Sequence, residues 1–211
     1  AIPDDWLGRN SDDVQTVVGS PVRLIWVGSL DARKSPDLLI DALERVSASD
    51  WRLDLVGHGP LQDTLRTMIA AADLGDKVSL HGLIPRSEVQ KLMARADLHI
   101  ITSMNEGNPT VIWEAMASGV PTLSLEHCGM RDTLCETCGV LVPLSGYQET
   151  CDSIASEIDS LVRAPIDLAR KKTGALTCAE THLWSKRART WLKIYNEAIE
   201  AHTSNKLGAR P

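Results

Sequence analysis

Residues 105–121, NEGNPTVIWEAMASGVP, decide how this chain folds. They follow an apolar run at residues 97–102, DLHIIT, which has the composition of a buried parallel strand. Gly107 and Pro109 are typical of a turn, and a proline suits the first turn of a helix because its missing N–H has no partner there. Gly119 predicts the end of the helix, so the segment indicates a strand, a loop and a helix in succession. The helix has an apolar face at helical spacing, formed by Val111, Ile112, Ala115 and Met116.

Two glutamates stand on either side of the expected helix start. Glu106 lies in the loop, and Glu114 follows on the helix after seven intervening residues. The free N–H groups near Thr110 and Val111, with the helix dipole, form an anion site. An anion held there lies one helical turn, about 5.4 Å, from the level of Glu114, which is comparable with the span from a phosphate to its ribose. Because a carboxylate accepts hydrogen bonds from both hydroxyls of a diol, we expect Glu114 to bind a ribose and Glu106 the group beyond the phosphates.

The whole segment resembles the E-x7-E signature of retaining, nucleotide-sugar-dependent glycosyltransferases, whose two facing Rossmann-like domains form the GT-B fold. The resemblance covers roughly residues 20–200 and implies that the chain is the C-terminal, donor-binding half of that fold. It also implies transfer of a hexosyl group from a nucleoside-diphosphate sugar with retention at the anomeric carbon. By family analogy, the setting is synthesis of surface polysaccharide or glycoconjugate.

Short apolar runs alternate with helical patterns along the chain, which predicts an α/β fold with a doubly wound parallel Rossmann-like sheet of about six strands. Ligands of such sheets bind beyond the carboxyl ends of the strands, so the loops there are expected to converge. Ser35 is expected to cap the first helix, with Pro36 at its first position. The last helix is expected at residues 180–201. The predicted strands are residues 22–28, 51–57, 77–82, 97–102, 121–125 and 139–143.

The loop after the first strand reads GSLDARKS from Gly28, which is similar to the family pattern G-R-L-x-x-x-K-G. The resemblance assigns Lys34 to the lysine that contacts the donor diphosphate. Ser29 replaces the arginine that usually shares this task, and Arg33 lies nearby but out of register. Lys34 and Glu106 are thus the expected catalytic residues, and the sequence leaves open whether Arg33 compensates for Ser29.

Two further loops resemble donor-binding loops of the family. Gly57 and His58 open the turn GHGP, similar to the family's G-x-G-P turn, which brings backbone close to the donor. Gly82, Leu83 and Ile84 match the loop that packs against the nucleotide base. We therefore expect all five residues to bind the donor.

The implied reaction needs a group that stabilises the departing diphosphate. Lys34 and the helix start at Thr110 would do so, while Glu106 and the amides of Gly107 and Asn108 would hold the sugar. The chain has no D-x-D motif, so we expect neither a metal nor a separate cofactor in the reaction, and a UDP- or GDP-sugar as donor.

Composition bounds the partners and the domain organisation. The 211 residues suffice for one substantial domain at residues 21–202, with a linker at 1–20 and a tail at 203–211. The net charge of −6 argues against a nucleic-acid partner, and no apolar run or signal peptide gives a strong membrane signal. We expect a cytoplasmic protein, peripheral to the inner face of the membrane through its missing domain.

The resemblance implies that an N-terminal acceptor domain is missing, because two such halves need about 400 residues. That domain is expected in the same or a separate chain. The alternative is a nucleotide-sugar-binding domain that is inactive on its own or needs a partner chain. A sugar-nucleotide epimerase, which shares the two-domain fold, is not expected to carry the E-x7-E segment.

The five cysteines include a C-x2-C pair, Cys135 and Cys138. With His127 and Cys128 they supply four candidate zinc ligands. A redox dithiol is a further alternative, and small buried cysteines are the default interpretation.

Overall fold

The computed structural model of this chain describes residues 2, 3, 6 and 20–208, so the linker predicted at 1–20 lies almost wholly outside the described residues, as do the last three residues of the predicted tail. The described part is an α/β fold in which strands and helices alternate up to the last three helices. Its strands are β1 Val22–Val27, β2 Trp51–Val56, β3 Val78–Gly82, β4 Leu98–Ile101, β5 Thr122–Leu125 and β6 Gly139–Val142. Its helices are α1 Pro36–Leu43, α2 Gln62–Ala71, α3 Arg86–Arg95, α4 Thr110–Ala117, α5 Cys128–Thr133, α6 Tyr147–Arg163, α7 Pro165–Thr181 and α8 Trp184–Gly208.

The strands form one parallel sheet in the order β3-β2-β1-β4-β5-β6. This confirms the predicted doubly wound parallel sheet. The two strands β4 and β5 are buried along their whole length, as expected for strands covered by helices on both faces. The strand order reverses between β1 and β4, and ligands of open α/β sheets bind at that switch point. The loops after β1 and β4 therefore flank the expected crevice.

Helix α4 begins at Thr110, and Pro109 occupies the N-cap position, one residue before the position predicted for it. The helix ends as the sequence predicts. Gly119 has a φ of 68°, and its N–H donates to the Met116 carbonyl at 2.9 Å. The next N–H, of Val120, donates to the Ala115 carbonyl at 2.9 Å. These two bonds form a Schellman motif, which explains why a glycine stands there.

The buried face of α4 fixes its position in the molecule. Ile112, Trp113 and Met116 belong to a core cluster that also contains Ala175 and Ala179 of α7. Full burial of each large apolar side chain stabilises the fold by about 2 kcal/mol. Helix α4 thus packs between the sheet and α7, and this packing fixes the position of its exposed first turn.

The start of α1 differs from the expectation in its capping. Ser35 occupies the N-cap position, with Pro36 as the first helical residue. However, the Ser35 hydroxyl donates to the Ala32 carbonyl at 2.8 Å instead of accepting a helix N–H. Its φ of 43° turns the side chain back into the preceding loop.

The predicted last helix at residues 180–201 is wrong at its start, because α7 extends to Thr181 and α8 begins at Trp184. The break follows from pairing with Ile2 near the chain start. The Ile2 N–H donates to the His182 carbonyl and the Trp184 N–H donates to the Ile2 carbonyl, both at 2.9 Å. These contacts form a parallel bridge between Ile2 and Leu183. They occupy the His182 carbonyl and the Trp184 N–H, which would form helical hydrogen bonds if the helix were continuous.

Helix α8 carries a row of exposed apolar side chains. Trp184 and Trp191 are 56% and 48% exposed, so neither is buried against the sheet. The other exposed large apolar residues of α8 are Leu192, Ile194, Tyr195 and Ile199. None of the helices in the described part of the chain combines the length and apolar character that a bilayer span requires.

Candidate functional site

Backbone contacts tie together the loops after β1, β2 and β3. The Leu30 N–H donates to the His58 carbonyl at 3.1 Å, and the Gly57 N–H donates to the Gly82 carbonyl at 3.0 Å. Gly57 has a φ of 148°, and a Cβ there would lie 1.7 Å from the Gly28 carbonyl oxygen. Only glycine allows this approach, so the predicted glycines serve to bring the three loops together.

The loops after β1, β4 and β5 are joined across the switch point. The Thr102 hydroxyl, at the end of β4, donates to the Lys34 carbonyl at 3.0 Å. The Gly129 N–H, in the first turn of α5, which follows β5, donates to the Glu106 carbonyl at 2.8 Å. The relative positions of these loops are therefore set by hydrogen bonds to backbone carbonyls.

A cluster of charges joins the loops after β1 and β4. The Glu106 carboxylate binds the Lys34 ammonium, and the Arg33 guanidinium donates to the same oxygen at 3.2 Å. The Lys34 and Glu106 side chains are only 15% and 13% exposed, whereas Arg33 is 52% exposed. Arg33 thus binds the same Glu106 carboxylate as Lys34, although it lies outside the position that the family pattern gives to an arginine. Ser29 instead donates to Asp31, and this hydrogen bond holds the pKa of Asp31 below its usual 3.8.

Glu114 lies one turn into α4 and binds Arg86, the first residue of α3, at 2.9 Å. Its side chain is 25% exposed and therefore does not point into hydrophobic packing. Burial raises the pKa of Glu114, and the nearby Arg86 guanidinium opposes that rise. The guanidinium also lies 5.1 Å from the Trp6 ring, a cation–π contact. Sequence reasoning missed Arg86, since one exposed arginine at a helix start carries no signal.

The start of α4 presents its backbone to the crevice. Thr110 is exposed and Val111 is half-buried, and their N–H groups have no intrahelical partner. The Asn108 side chain accepts a hydrogen bond from the Trp113 indole N–H at 2.8 Å, and this bond ties the loop to α4. Gly107 is exposed, and a Cβ there would meet nothing within 4 Å. The backbone of this loop is therefore open to a ligand.

The loops after β2 and β3 form the other flank. Gly82 has a φ of 65°, which turns the chain so that Leu83 is 85% exposed and Ile84 is half-buried. His58 is exposed, and its Nδ1 lies 2.8 Å from the Gln62 side-chain oxygen. An exposed leucine beside a glycine turn offers an apolar surface to a flat ring.

The cysteines do not form the zinc-ligand group that the sequence offered, which included His127 and Cys128. Cys135 and Cys138 lie together, but Cys178 of α7 joins them, and His127 and Cys128 are not part of the group. Helix α5 separates them, because it starts beyond the carboxyl end of β5 and ends before the amino end of β6. Burial raises the pKa of Cys135, but hydrogen bonds at its sulfur outweigh burial and lower that pKa to about 7.

Comparison with known proteins identifies the family. The sequence profile of the glycosyl transferases group 1 family matches residues 9–174. The chain belongs to this family. It is 31% identical over 122 residues to the amylovoran biosynthesis glycosyltransferase AmsK of Erwinia amylovora, covering 54% of this chain and 30% of AmsK. It is 30% identical over 151 residues to the lipopolysaccharide glucosyltransferase WaaG of Escherichia coli, covering 69% of this chain and 39% of WaaG.

Solved GT-B glycosyltransferases share its fold. The structure of HepE from Anabaena in complex with UDP matches with a TM-score of 0.73 and 22% identity, over 97% of this chain and 56% of HepE. The pneumococcal O-GlcNAc transferase GtfA in complex with UDP and GlcNAc matches with a TM-score of 0.73 and 21% identity, over 85% of this chain and 36% of GtfA. The matched segments cover 30% of AmsK and 39% of WaaG, so this glycosyl transferases group 1 chain spans only part of the length of either relative.

Proposed function

We propose that this chain binds a nucleoside-diphosphate sugar and supplies the donor half of a hexosyltransferase that retains the anomeric configuration. The observation that carries the proposal is the meeting of Lys34 and Arg33 at Glu106, beside the start of α4. The names of the relatives AmsK and WaaG support a role in surface polysaccharide or glycoconjugate synthesis. The transfer uses no cofactor besides the donor.

The proposed diphosphate position lies between two cations and the helix start. In the free protein, Lys34 and Arg33 neutralise Glu106, so they are already directed into the crevice. When the donor binds, the two cations leave this carboxylate and bind the diphosphate. The diphosphate also accepts hydrogen bonds from the N–H groups of Thr110 and Val111. Negative charge develops on the leaving diphosphate in the transition state, and these preorganised donors stabilise it there.

The sugar lies beside Glu106 in this arrangement. Once the cations have moved to the diphosphate, the Glu106 carboxylate is free to accept hydrogen bonds from sugar hydroxyls. The amides of Gly107 and Asn108 donate to the same sugar. The assignment of retention rests on the resemblance of residues 105–121 to the E-x7-E signature.

The nucleoside lies against Glu114 and the loop after β3. The Arg86 side chain that binds Glu114 is 64% exposed, so their ion pair is worth at most about 1 kcal/mol and yields readily to a ribose. Leu83 and Ile84 offer apolar contacts to the base. Since HepE and GtfA are solved with UDP, a UDP-sugar is the first donor to test, and a GDP-sugar the second.

A second candidate is donor binding without turnover. The match to WaaG covers 39% of that enzyme, and α8 exposes two tryptophans. Transfer would then require an acceptor domain in the same or a separate chain, with the enzyme at the cytoplasmic face of the membrane. Donor binding by this chain with transfer only after adding that domain distinguishes the two candidates.

The test compares nucleotides with and without the ribose diol. Calorimetry would measure UDP and 2′,3′-dideoxy-UDP binding to the unaltered chain and to Glu114→Gln. Losing charge-assisted hydrogen bonds at the diol costs about 1.5–3 kcal/mol, so UDP binding should weaken about 10- to 150-fold in the variant. Binding of the dideoxy nucleotide should not change. Glu88→Gln is the matched control, because Glu88 is an exposed carboxylate on the neighbouring α3 that binds only Lys91 among the described residues.

Equal UDP affinity in the unaltered chain and in Glu114→Gln would remove the ribose assignment. An equal loss for UDP and its dideoxy analogue would show that the substitution disturbs the crevice as a whole.

A further inference from the structure

Three thiols from two distant parts of the chain meet at one point. The sulfur of Cys135 lies 3.2 Å from the sulfur of Cys138 and 3.2 Å from that of Cys178. All three sulfurs lie within 4.8 Å of one another. Cys138 is buried and Cys135 is exposed, so the cluster reaches the surface on one side. The proposed donor-binding function does not use it.

Backbone packing sets the positions of these thiols. Lys171, Gly174 and Cys178 lie on one face of α7, at helical spacing. The Lys171 ammonium donates to the Gly139 carbonyl at 2.9 Å. At Gly174 a Cβ would lie 1.9 Å from the Thr137 carbonyl oxygen, so glycine is required for the loop to approach. The same face of the helix thus brings Cys178 to the C-x2-C loop independently of any thiol chemistry.

Hydrogen-bond donors are directed at the sulfurs. The Cys135 N–H donates to the Cys138 sulfur at 3.2 Å, and the Thr137 hydroxyl lies 3.1 Å from the Cys135 sulfur. Donors around sulfur atoms orient and stabilise thiolate ligands in metal sites.

We propose that Cys135, Cys138 and Cys178 bind one thiophilic divalent metal ion of the zinc class. Three thiols bind the ion as thiolates and release three protons, which gives a site of net charge −1 with a fourth coordination position for solvent beside the exposed Cys135. Sulfurs around a tetrahedral zinc lie about 3.8 Å apart, only about 0.6 Å more than the two separations of 3.2 Å. A disulfide would use only two of the three sulfurs and leave the third without a role.

The position of the cluster, away from the donor crevice, gives a bound ion a role in stability. The Cys135–Cys138 loop precedes β6, so it lies at the amino ends of the parallel strands. The donor crevice lies at the opposite, carboxyl ends. Cys138 belongs to the same core cluster as Trp113 of α4 and Ala175 of α7. A bound ion would fasten α7, which covers α4, to the edge of the sheet.

The test is metal binding by the reduced, chelator-treated chain, first with Co²⁺ and then with Zn²⁺. Three thiolates should produce sulfur-to-cobalt charge-transfer absorption that saturates at one equivalent and is displaced by zinc. Cys178→Ser should weaken zinc binding more than tenfold, because loss of a ligand exceeds the effect of losing an outer-shell group. Cys128→Ser, an exposed cysteine outside the cluster, is the matched control and should bind like the unaltered chain.

Zinc should also raise the melting temperature of the unaltered chain and of Cys128→Ser, but not of Cys178→Ser. Absence of the charge-transfer band in the unaltered chain would overturn the proposal, even if Cys178→Ser failed to fold. Equal zinc affinity in the two cysteine variants would also overturn it.

Discussion

Replacing Lys34 with methionine tests the proposed diphosphate position. Methionine keeps much of the apolar stem and removes the ammonium that binds Glu106. Both side chains are mostly buried, but Arg33 still reaches the same carboxylate oxygen at 3.2 Å. Loss of one partner of a buried pair costs about 3–5 kcal/mol when nothing compensates. Because Arg33 compensates in part, we expect a loss of unfolding free energy of only about 1–2 kcal/mol, and a chain that still folds.

The same substitution should remove a larger fraction of the free energy of UDP binding than of the free energy of unfolding. Two unit charges about 4 Å apart at an effective dielectric of about 20 attract by about 4 kcal/mol. Lys34 must first give up Glu106, so about half of this value, about 2 kcal/mol or a 30-fold change in Kd, should be lost with the ammonium.

Calorimetry at constant ionic strength would compare UDP, UMP and uridine on both forms of the chain. UDP binding should fall about 30-fold, and uridine binding should not change, since uridine carries no phosphate. Lys91→Met is the matched control, because Lys91 is a surface lysine bound to Glu88 on α3. Unchanged UDP affinity, or an equal loss for uridine, would refute the assignment of Lys34.

Three further predictions concern stability and pH. Gly57→Ala should lower the unfolding free energy in urea by about 2–4 kcal/mol, because a Cβ there would lie 1.7 Å from a backbone oxygen of the β1 loop; Gly75→Ala, with open space around it, should change it by less than about 1 kcal/mol. Lys172→Met should destabilise the chain by about 3 kcal/mol in the same assay, because it leaves Asp97, its partner at 2.7 Å and only 14% exposed, without an opposite charge and with the Arg23 N–H as its remaining donor; a change under about 1 kcal/mol would contradict this. UDP binding should strengthen as the pH rises through the pKa of Glu114, which burial holds above 4.5, since only the carboxylate accepts both ribose hydroxyls; Glu114→Gln should lack this pH dependence.

The strands and the central helix were predictable because their signals are local. Strands buried on both faces are continuous apolar runs, so all six predicted runs correspond to strands of the sheet. The end of α4 was predictable because Gly119 needs a positive φ, which few other residues adopt. The convergence of the loops after β1 and β4 followed from the chain order of a parallel sheet.

Features that depend on partners far apart in the chain were not predictable. The break before α8 results from pairing between Ile2 and Leu183, which no local pattern records. Arg86 meets Glu114 only because α3 and α4 are neighbours in space. Cys178 joins the C-x2-C loop because Gly174 allows a close approach, whereas the sequence pointed to cysteine and histidine neighbours closer along the chain.

The position of a bound nucleotide is the most direct test of the account. A crystal structure of this chain with UDP should show the diphosphate on the N–H groups of Thr110 and Val111 with the Lys34 ammonium beside it. The ribose hydroxyls should bind Glu114, displacing Arg86. A nucleotide bound elsewhere, or one whose ribose lies away from Glu114 while the Arg86 ion pair stays intact, would contradict the central claim.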